Sequence, residues 1–173
     1  MDAAWPSLNE YWRRHYVKAV ANVCREMAEW KGHVFGGVDG QNISEYYLLN
    51  RSASKDYKRP APEDFSSANL QASCELLGMD CLNLVFSHND LGPTNIIVED
   101  EPKSGKIGIL DFEVAGYFPR SWIRTKFRIS FGMYLSPDIS DDPFWWAKEV
   151  PEALGDSGFD DVAEAWWKWR GYK

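Results

Sequence analysis

Two stretches of the chain decide its fold: FSHNDLGPTNIIV at residues 86–98 and ILDFE at residues 109–113. Each contains short runs of apolar residues, and the polar, Pro- and Gly-containing turn of residues 100–105 separates them. This pattern predicts two short strands joined as a β-hairpin. The polar residues of the first stretch lie in a loop that leads into the hairpin. The sequence therefore predicts a small β element that carries a polar site.

The polar side chains of these stretches are of the types that phosphoryl transfer requires. Asp90 supplies a carboxylate that can accept a proton from an attacking hydroxyl group. Asn95 follows five positions later in the same loop, and Asp111 stands at the end of the second hairpin strand. Both supply oxygen ligands for Mg²⁺, which takes near-octahedral oxygen coordination and bridges nucleotide phosphates. The spacing lets these side chains face a common point, so we predict a phosphoryl-transfer site.

Two further residues belong to the predicted site. We interpret His88 as a residue that orients the catalytic loop through hydrogen bonds to the backbone, which is close to a purely structural role. Glu113 either reaches the metal, directly or through water, or forms a salt bridge or a surface carboxylate. The metal-binding set is thus predicted to be Asn95, Asp111 and Glu113, with Asp90 and His88 as the catalytic residues.

The N-terminal half of the chain is predicted to be mostly helical. Ser7 and Glu10 have the spacing of a capping box, and Gly32 is a stop signal for the helix that follows. Between them, apolar residues recur at nearly helical spacing at Leu8, Trp12, Tyr16, Val20, Val23, Met27 and Trp30. A second helix is predicted from Pro62 to Gly78, after a polar surface loop over residues 52–62.

Helices are also predicted for the C-terminal part of the chain. The sequence after Gly116 favours a helix, Asp142-Pro143 has the pattern of a cap and first turn, and residues 159–169 carry a last apolar periodicity. Together with the hairpin, these elements predict a mostly helical α+β fold. At 173 residues the chain is predicted to form one domain spanning residues 1–173.

The composition is that of a globular protein with an uneven charge. Hydrophobic residues make up 45% of the chain and charged residues 26%, and nine tryptophans are expected mainly as core or interface residues. The net charge is −7, and acidic residues concentrate between Asp138 and Glu164. This distribution disfavours nucleic acid and anionic membranes as partners. It indicates either attraction of a cationic partner or substrate, or a set of solvated helix faces.

Cysteine usage and the N-terminal sequence predict a location in the cytoplasm. The three cysteines, Cys24, Cys74 and Cys81, show neither a disulfide framework nor a zinc motif. The first residues, MDAAWP, lack the basic and apolar regions of a signal peptide. The longest apolar runs are too short to span a bilayer.

The two stretches carry a family resemblance. The chain resembles the aminoglycoside phosphotransferase and choline kinase-like family, whose fold is similar to that of protein kinases. SHNDLGPTNIIV at residues 87–98 is similar to the family's catalytic loop, and ILDFEVAG at residues 109–116 to its metal-binding segment. The segments VAGYFPRSW at residues 114–122 and GGVDG at residues 36–40 most resemble fungal members. The similarity extends from about residue 7 to residue 137.

The resemblance implies the C-terminal lobe of a protein-kinase-like fold, with Asp90 as the catalytic base and with Asn95 and Asp111 as ligands of Mg²⁺. It implies transfer of the γ-phosphoryl group of ATP to a hydroxyl group of a small-molecule substrate. The acidic C-terminal quarter would favour a cationic substrate. One departure is Asn89, which stands where the family usually has a small residue between the histidine and the aspartate.

The sequence also predicts that the family's N-terminal nucleotide-binding lobe is absent from this chain. Residues 36–40 follow a predicted helix and are a poor substitute for a nucleotide-covering loop, and Lys55 and Lys58 lie in the polar loop. The alternative function is therefore a catalytically inactive lobe, or a binding module, that retains the site residues. An uncovered cleft would expose an apolar patch, and self-association through the exposed cleft face is expected.

Overall fold

The computed structural model describes residues 1–49 and 59–171, and in these residues the chain has a mostly helical α+β fold. The helices are α1 (Glu10–Met27), α2 (Ser67–Leu76), α3 (Arg120–Ile129), α4 (Trp145–Asp156) and α5 (Ala163–Trp169). The strands are β1 (Lys31–Gly32), β2 (Gly36–Gly37), β3 (Leu84–Ser87), β4 (Ile96–Ile97), β5 (Gly108–Ile109) and β6 (Gly116–Pro119). The fold class predicted from the sequence is confirmed at this level. Most of the predicted loop of residues 52–62, including Lys55 and Lys58, lies outside the described residues.

The first long helix begins at a different cap from the predicted one. Residues Asp2–Ser7 form a short 3₁₀ helix of their own, in which the Ser7 hydroxyl donates a hydrogen bond to the Ala4 carbonyl. Asn9 caps α1 instead, and its side-chain oxygen accepts from the Trp12 backbone N–H at 3.1 Å. The predicted capping box at Ser7 is wrong because Ser7 is already committed to the preceding turn. The stop at Gly32 is also wrong, since α1 ends at Met27 and Gly32 pairs in β1.

The second helical region contains two elements where one was predicted. Residues Pro62–Phe65 form a 3₁₀ turn, and α2 then begins with a cap from the Ser66 hydroxyl. Gly78 ends this region with φ of 80°, and Met79 N–H donates to the Cys74 carbonyl at 3.0 Å. The predicted end at Gly78 is confirmed, because the left-handed conformation favours glycine.

A four-stranded antiparallel sheet supports the predicted catalytic loop. Its strand order is β1-β3-β6-β2, and β3 pairs with β6 in the register Val85 with Phe118 and Ser87 with Gly116. The prediction of a helix directly after Gly116 is wrong for residues 116–119, which form β6, and α3 begins at Arg120. A Cβ atom at residue 116 would collide with the Gly36 carbonyl, so glycine permits the close pairing of β6 with β2.

The predicted hairpin is confirmed as a second, smaller sheet. β4 and β5 pair antiparallel, with Ile96 opposite Ile109 and Ile97 opposite Gly108. Ile96 is buried in the core beneath the hairpin, and Ile109 packs partly against the same core. The hairpin is therefore anchored by one face, and the loop before β4 is fixed at both ends.

Two hydrophobic clusters form the core of the described part of the chain. One is built around α1 and α4, which pack against each other, and the other around α2, β6 and α5. Trp5, Trp122, Trp146 and Trp166 are buried in these clusters, as expected for core tryptophans. Trp30 differs: it is 63% exposed and stacks on Phe86.

The C-terminal helices begin later than predicted. Asp142 accepts a hydrogen bond from the Phe144 backbone N–H, and α4 starts three residues after Asp142, at Trp145. Phe159 lies in the core but precedes α5, which starts at Ala163. Among the described residues, no helix is both long enough and apolar enough to cross a membrane.

Candidate active site

The candidate catalytic loop follows β3, an interior strand of the four-stranded sheet. All four residues of β3 are buried, and the strand pairs with β1 on one side and β6 on the other. β1 pairs with Leu84 and Val85, and β6 pairs with β3 as far as Ser87, so the sheet fixes the chain where the loop begins. The loop then runs through Asp90 to a short 3₁₀ turn at Pro93–Asn95, which leads into β4.

His88 holds the loop to the end of β5. Its Nε2 donates to the Leu110 carbonyl at 2.8 Å, and its Nδ1 accepts from the Asp90 backbone N–H at 3.2 Å. These two partners define a neutral ring with the proton on Nε2. Burial lowers the pKa of His88 below its usual value, which favours the same neutral form. The expected hydrogen bonding of His88 to the backbone is confirmed.

Asn95 and Asp90 are joined directly. Nδ2 of Asn95 donates to the Asp90 carbonyl at 2.8 Å and to Asp90 Oδ2 at 2.9 Å. Both acceptors require the amide nitrogen, so the orientation of the Asn95 side chain is determined. The structure thus brings together two residues that the sequence placed on one loop. It also directs the amide oxygen of Asn95 away from Asp90.

Asp111 is brought to the same end of the hairpin as Asn95. The Leu110 backbone N–H donates to the Asn95 carbonyl at 3.0 Å, so Asp111 directly follows the residue that pairs with Asn95. Asp90 and Asp111 both lie close enough to His88 to act on its charge. Asp111 is exposed and has φ of 61°, a left-handed conformation that aspartate tolerates better than most residues. The predicted grouping of these side chains therefore has a structural basis.

Asn89 has a defined role in this arrangement. Its φ is 63°, its Oδ1 accepts from the Ser87 hydroxyl at 2.7 Å, and its Nδ2 donates to the Val114 carbonyl at 3.0 Å. Asparagine suits this position because it tolerates the left-handed conformation and satisfies buried polar groups. Asn89 therefore ties the candidate catalytic loop to the segment after Glu113 through two hydrogen bonds.

A cleft of about 300 Å³ opens beside Asp90. Among its lining residues are Glu45, Tyr47, Asp90, Glu113, Lys126 and Ser130. Glu113 thus faces the same space as Asp90, although it is exposed. Gly132 lies beside the carboxylate as well, since a Cβ atom there would stand 3.1 Å from Asp90 Oδ1.

The cleft contains a buried ion pair that was missed at the sequence level. Lys126 Nζ lies 3.1 and 3.0 Å from the two carboxylate oxygens of Glu45, and the two side chains are 6% and 2% exposed. Lys126 also stands 4.2 Å from the centre of the Tyr47 ring. The available signal was Lys126 itself, which follows the buried Trp122 by one helical turn on the apolar face of α3. Nothing comparable marks Glu45, since it lies in a polar segment.

Asn95 and Asp111 are suited to a metal ion that is shared with a phosphate ligand. Within residues 1–49 and 59–171, no group of three or more His, Cys, Asp or Glu side chains could hold a metal ion. Mg²⁺ in nucleotide sites is usually held by one or two carboxylates together with substrate phosphates and water. The amide oxygen of Asn95 and the carboxylate of Asp111 fit that arrangement, with Glu113 nearby. They do not form a metal cage made of protein alone.

The acidic C-terminal quarter is partly neutralised by other parts of the chain. Asp161 pairs with Arg124 and Arg128, and Glu149 pairs with Arg14. The acids that line the cleft in the described part of the chain are Glu45, Asp90 and Glu113, all from outside that quarter. Ion pairs within the chain therefore engage Asp161 and Glu149, and attraction of a cationic partner by the quarter stays a prediction.

No model of a known protein family matches the chain, and no match was found among the curated proteins or the solved structures. The family resemblance therefore rests on the motifs at residues 87–98 and 109–116.

Proposed function

We propose that the chain is the C-terminal lobe of an aminoglycoside phosphotransferase or choline kinase-like enzyme. Its activity would be transfer of the γ-phosphoryl group of ATP to a hydroxyl group of a small molecule. The observation that carries this proposal is the double hydrogen bond from Asn95 to Asp90, with Asp111 held next to the backbone partner of Asn95. Asp90, Asn95 and Asp111 are thus held close to the end of one hairpin, which supports their proposed roles as proton acceptor and oxygen ligands.

Asp90 acts as the proton acceptor for the attacking hydroxyl group. Asn95 fixes one oxygen of its carboxylate, and the other lies beside Gly132, where the lack of a side chain leaves room for a substrate. In its neutral form, His88 keeps the loop in place through its two hydrogen bonds to the backbone. Such positioning of the base accounts for a large share of the rate in phosphoryl transfer.

Asn95 and Asp111 would hold Mg²⁺, with Glu113 as a further ligand, directly or through water. When bound, the ion would neutralise negative charge on the phosphates of the nucleotide. The exposed position of Asp111 leaves its carboxylate accessible to a nucleotide.

The acceptor would enter the cleft beside Asp90. Lys126 neutralises Glu45 there, whereas Asp90 and Glu113 add negative charge to the space. Such a cleft favours a cationic or neutral hydroxyl compound over an anionic one. Nucleic acid and anionic membranes are not expected as partners, in line with the net charge of −7. The three cysteines are free, which suits the reducing cytoplasm.

A second candidate function is a lobe that retains the site without transferring phosphoryl groups. It is favoured by residues 36 and 37, which pair with β6 as the strand β2. Their backbone groups are engaged in the sheet, so this glycine-rich segment does not wrap around a nucleotide. Phosphate-binding groups would then have to come from a segment other than residues 36 and 37.

The test is an acceptor screen that measures ADP release from ATP and Mg²⁺ by the wild type and by Asp90→Asn. Asp100→Asn is the matched control, because Asp100 is an exposed acid in the turn of the same hairpin. We expect one or more hydroxyl compounds to stimulate ADP release, and Asp90→Asn to reduce the stimulated rate by about 10²–10⁴-fold. Equal rates in Asp90→Asn and the wild type would overturn the assignment of the base. ATP binding without transfer to any acceptor would support the second candidate.

A further inference from the structure

The end of α2 brings two cysteines together. Cys74 lies in the last turn of α2, and the turn at Gly78 reverses the chain so that Met79 N–H bonds to the Cys74 carbonyl. Cys81, two residues further on, then lies over the same helical turn. Its Sγ stands 3.9 Å from the carbonyl oxygen of Gln71, one turn before Cys74. Seven positions apart in sequence, the two thiols are neighbours in space.

The two thiols lie within hydrogen-bonding reach of each other and differ in exposure. Cys74 is fully buried, whereas Cys81 is partly exposed. The interaction of the two thiols lowers the pKa of Cys81, against the opposing effects of burial and of the acids Glu75 and Asp80. The same interaction, together with burial, raises the pKa of Cys74. Cys81 is thus the accessible nucleophile, and Cys74 is the thiol poised next to it.

We propose that Cys81 and Cys74 form an oxidation site that a hydroperoxide converts into an intramolecular disulfide. The Cys81 thiolate attacks one peroxide oxygen, the O–O bond breaks, and the other oxygen leaves as hydroxide or alkoxide, which is protonated. This step oxidises Cys81 to a sulfenic acid. The Cys74 sulfur then attacks the Cys81 sulfur, the S–O bond breaks, and the hydroxyl group leaves as water with the Cys74 proton. A dithiol reverses the product to two thiols.

Cys24 is an internal control for this site. It is buried in the other hydrophobic cluster, and desolvation raises its pKa to about 12. Within the described residues, Cys74 and Cys81 are the thiols that interact with each other, and Cys24 has no thiol neighbour that acts on its pKa. Oxidation should therefore be confined to the pair at the end of α2. The pair cannot be recognised from the sequence alone, because two cysteines seven positions apart do not form a motif for disulfide or metal sites.

The test treats the reduced, full-length chain with hydrogen peroxide and measures intact mass and peptide linkage. We expect the wild type to lose the mass of two hydrogen atoms, and a peptide joining Cys74 to Cys81 to appear and to vanish after dithiothreitol. Cys24 should remain alkylatable once the chain is unfolded. Three free thiols after treatment, or Cys81 oxidised to a sulfinic acid beside a free Cys74, would overturn the proposal.

Two variants separate the roles of the thiols. In Cys74→Ser the sulfenic acid of Cys81 should persist and react with dimedone, whereas Cys24→Ser should form the disulfide as the wild type does. A disulfide that forms between chains, or one that includes Cys24, would count against the proposed pair. None of these readouts depends on phosphoryl transfer, and the wild-type result stands even if a variant does not fold.

Discussion

At the scale of single residues, two non-glycine residues in the left-handed region frame the candidate site. Asn89, with φ of 63°, precedes Asp90, and Asp111, with φ of 61°, follows the second hairpin strand. Backbone conformations of this kind cost free energy and cluster at sites where geometry matters. Asn89 offsets part of that cost through its bonds to Ser87 and Val114. The site is thus placed by the local backbone as well as by its side chains.

The buried, neutral His88 predicts a pH dependence of stability. Its pKa lies below the usual 6.5 because burial disfavours the charged ring, so the unfolded chain binds the proton more tightly than the folded chain. The contribution of His88 to stability is then complete above pH 6.5 and is lost as pH falls from 6.5 through the folded pKa.

The measurement is urea unfolding of the wild type and of His88→Gln from about pH 7.5 to about pH 5.5. We expect the free energy of unfolding of the wild type to fall more steeply with decreasing pH than that of His88→Gln. Parallel curves for the two proteins would show that His88 titrates alike in both states, contrary to its neutral role.

At the scale of elements, a buried ion pair attaches one wall of the cleft, residues 44–47, to α3. Glu45 precedes the 3₁₀ turn Tyr46–Leu48 and accepts from the Tyr47 backbone N–H, while its carboxylate binds Lys126 of α3. Phe131 N–H adds a bond to the Tyr47 hydroxyl. This wall belongs to no β-sheet, so backbone hydrogen bonds between strands do not hold it beside Asp90. The side-chain hydrogen bonds described above hold it there.

A double-variant comparison tests this attachment. Lys126→Met leaves the Glu45 carboxylate buried without its partner, and we expect it to cost about 3–5 kcal/mol of unfolding free energy. Combining it with Glu45→Gln removes that charge and keeps an oxygen for the Tyr47 N–H, so the double variant should be more stable than Lys126→Met alone. Denaturant unfolding measures both.

The matched control is the exposed pair of Lys103 and Glu101, whose side chains are 79% and 88% exposed. Lys103→Met should change stability by less than about 1 kcal/mol, since exposed pairs contribute little. A double variant that is no more stable than Lys126→Met alone would contradict the account of a coupled buried pair.

The elements that the sequence predicted well are those that local patterns determine. The hairpin and the loop from His88 to Asn95 follow from apolar runs and from polar residues spaced along a few positions. Strand β6 was missed because its pairing with β3 and β2 is non-local. In addition, a segment of four residues that ends in proline is too short to show the alternating pattern of a strand. The pair of Glu45 and Lys126 was missed for the same reason, since 81 positions separate its members.

At the scale of the whole molecule, the hairpin end also presents apolar surface. Ile97, Leu110 and Phe112 are each about half exposed there, at 49%, 47% and 48%, and the Phe112 ring contacts His88 edge-on. Exposed apolar groups beside a polar site are typical of a surface that another domain, a ligand or a second copy covers. Self-association through this face stays a prediction.

The central claim is that the end of the hairpin binds a nucleotide through Mg²⁺, and calorimetric titration with ATP tests it most directly. Asp111→Asn removes one negative charge and keeps a side chain that tolerates the left-handed backbone, while Asp100→Asn removes the same charge from the hairpin turn. We predict saturable binding of ATP at millimolar Mg²⁺ by the wild type and Asp100→Asn, lost in Asp111→Asn and in the absence of Mg²⁺. No binding by the wild type, or binding that neither Asp111→Asn nor removal of Mg²⁺ affects, would contradict the claim.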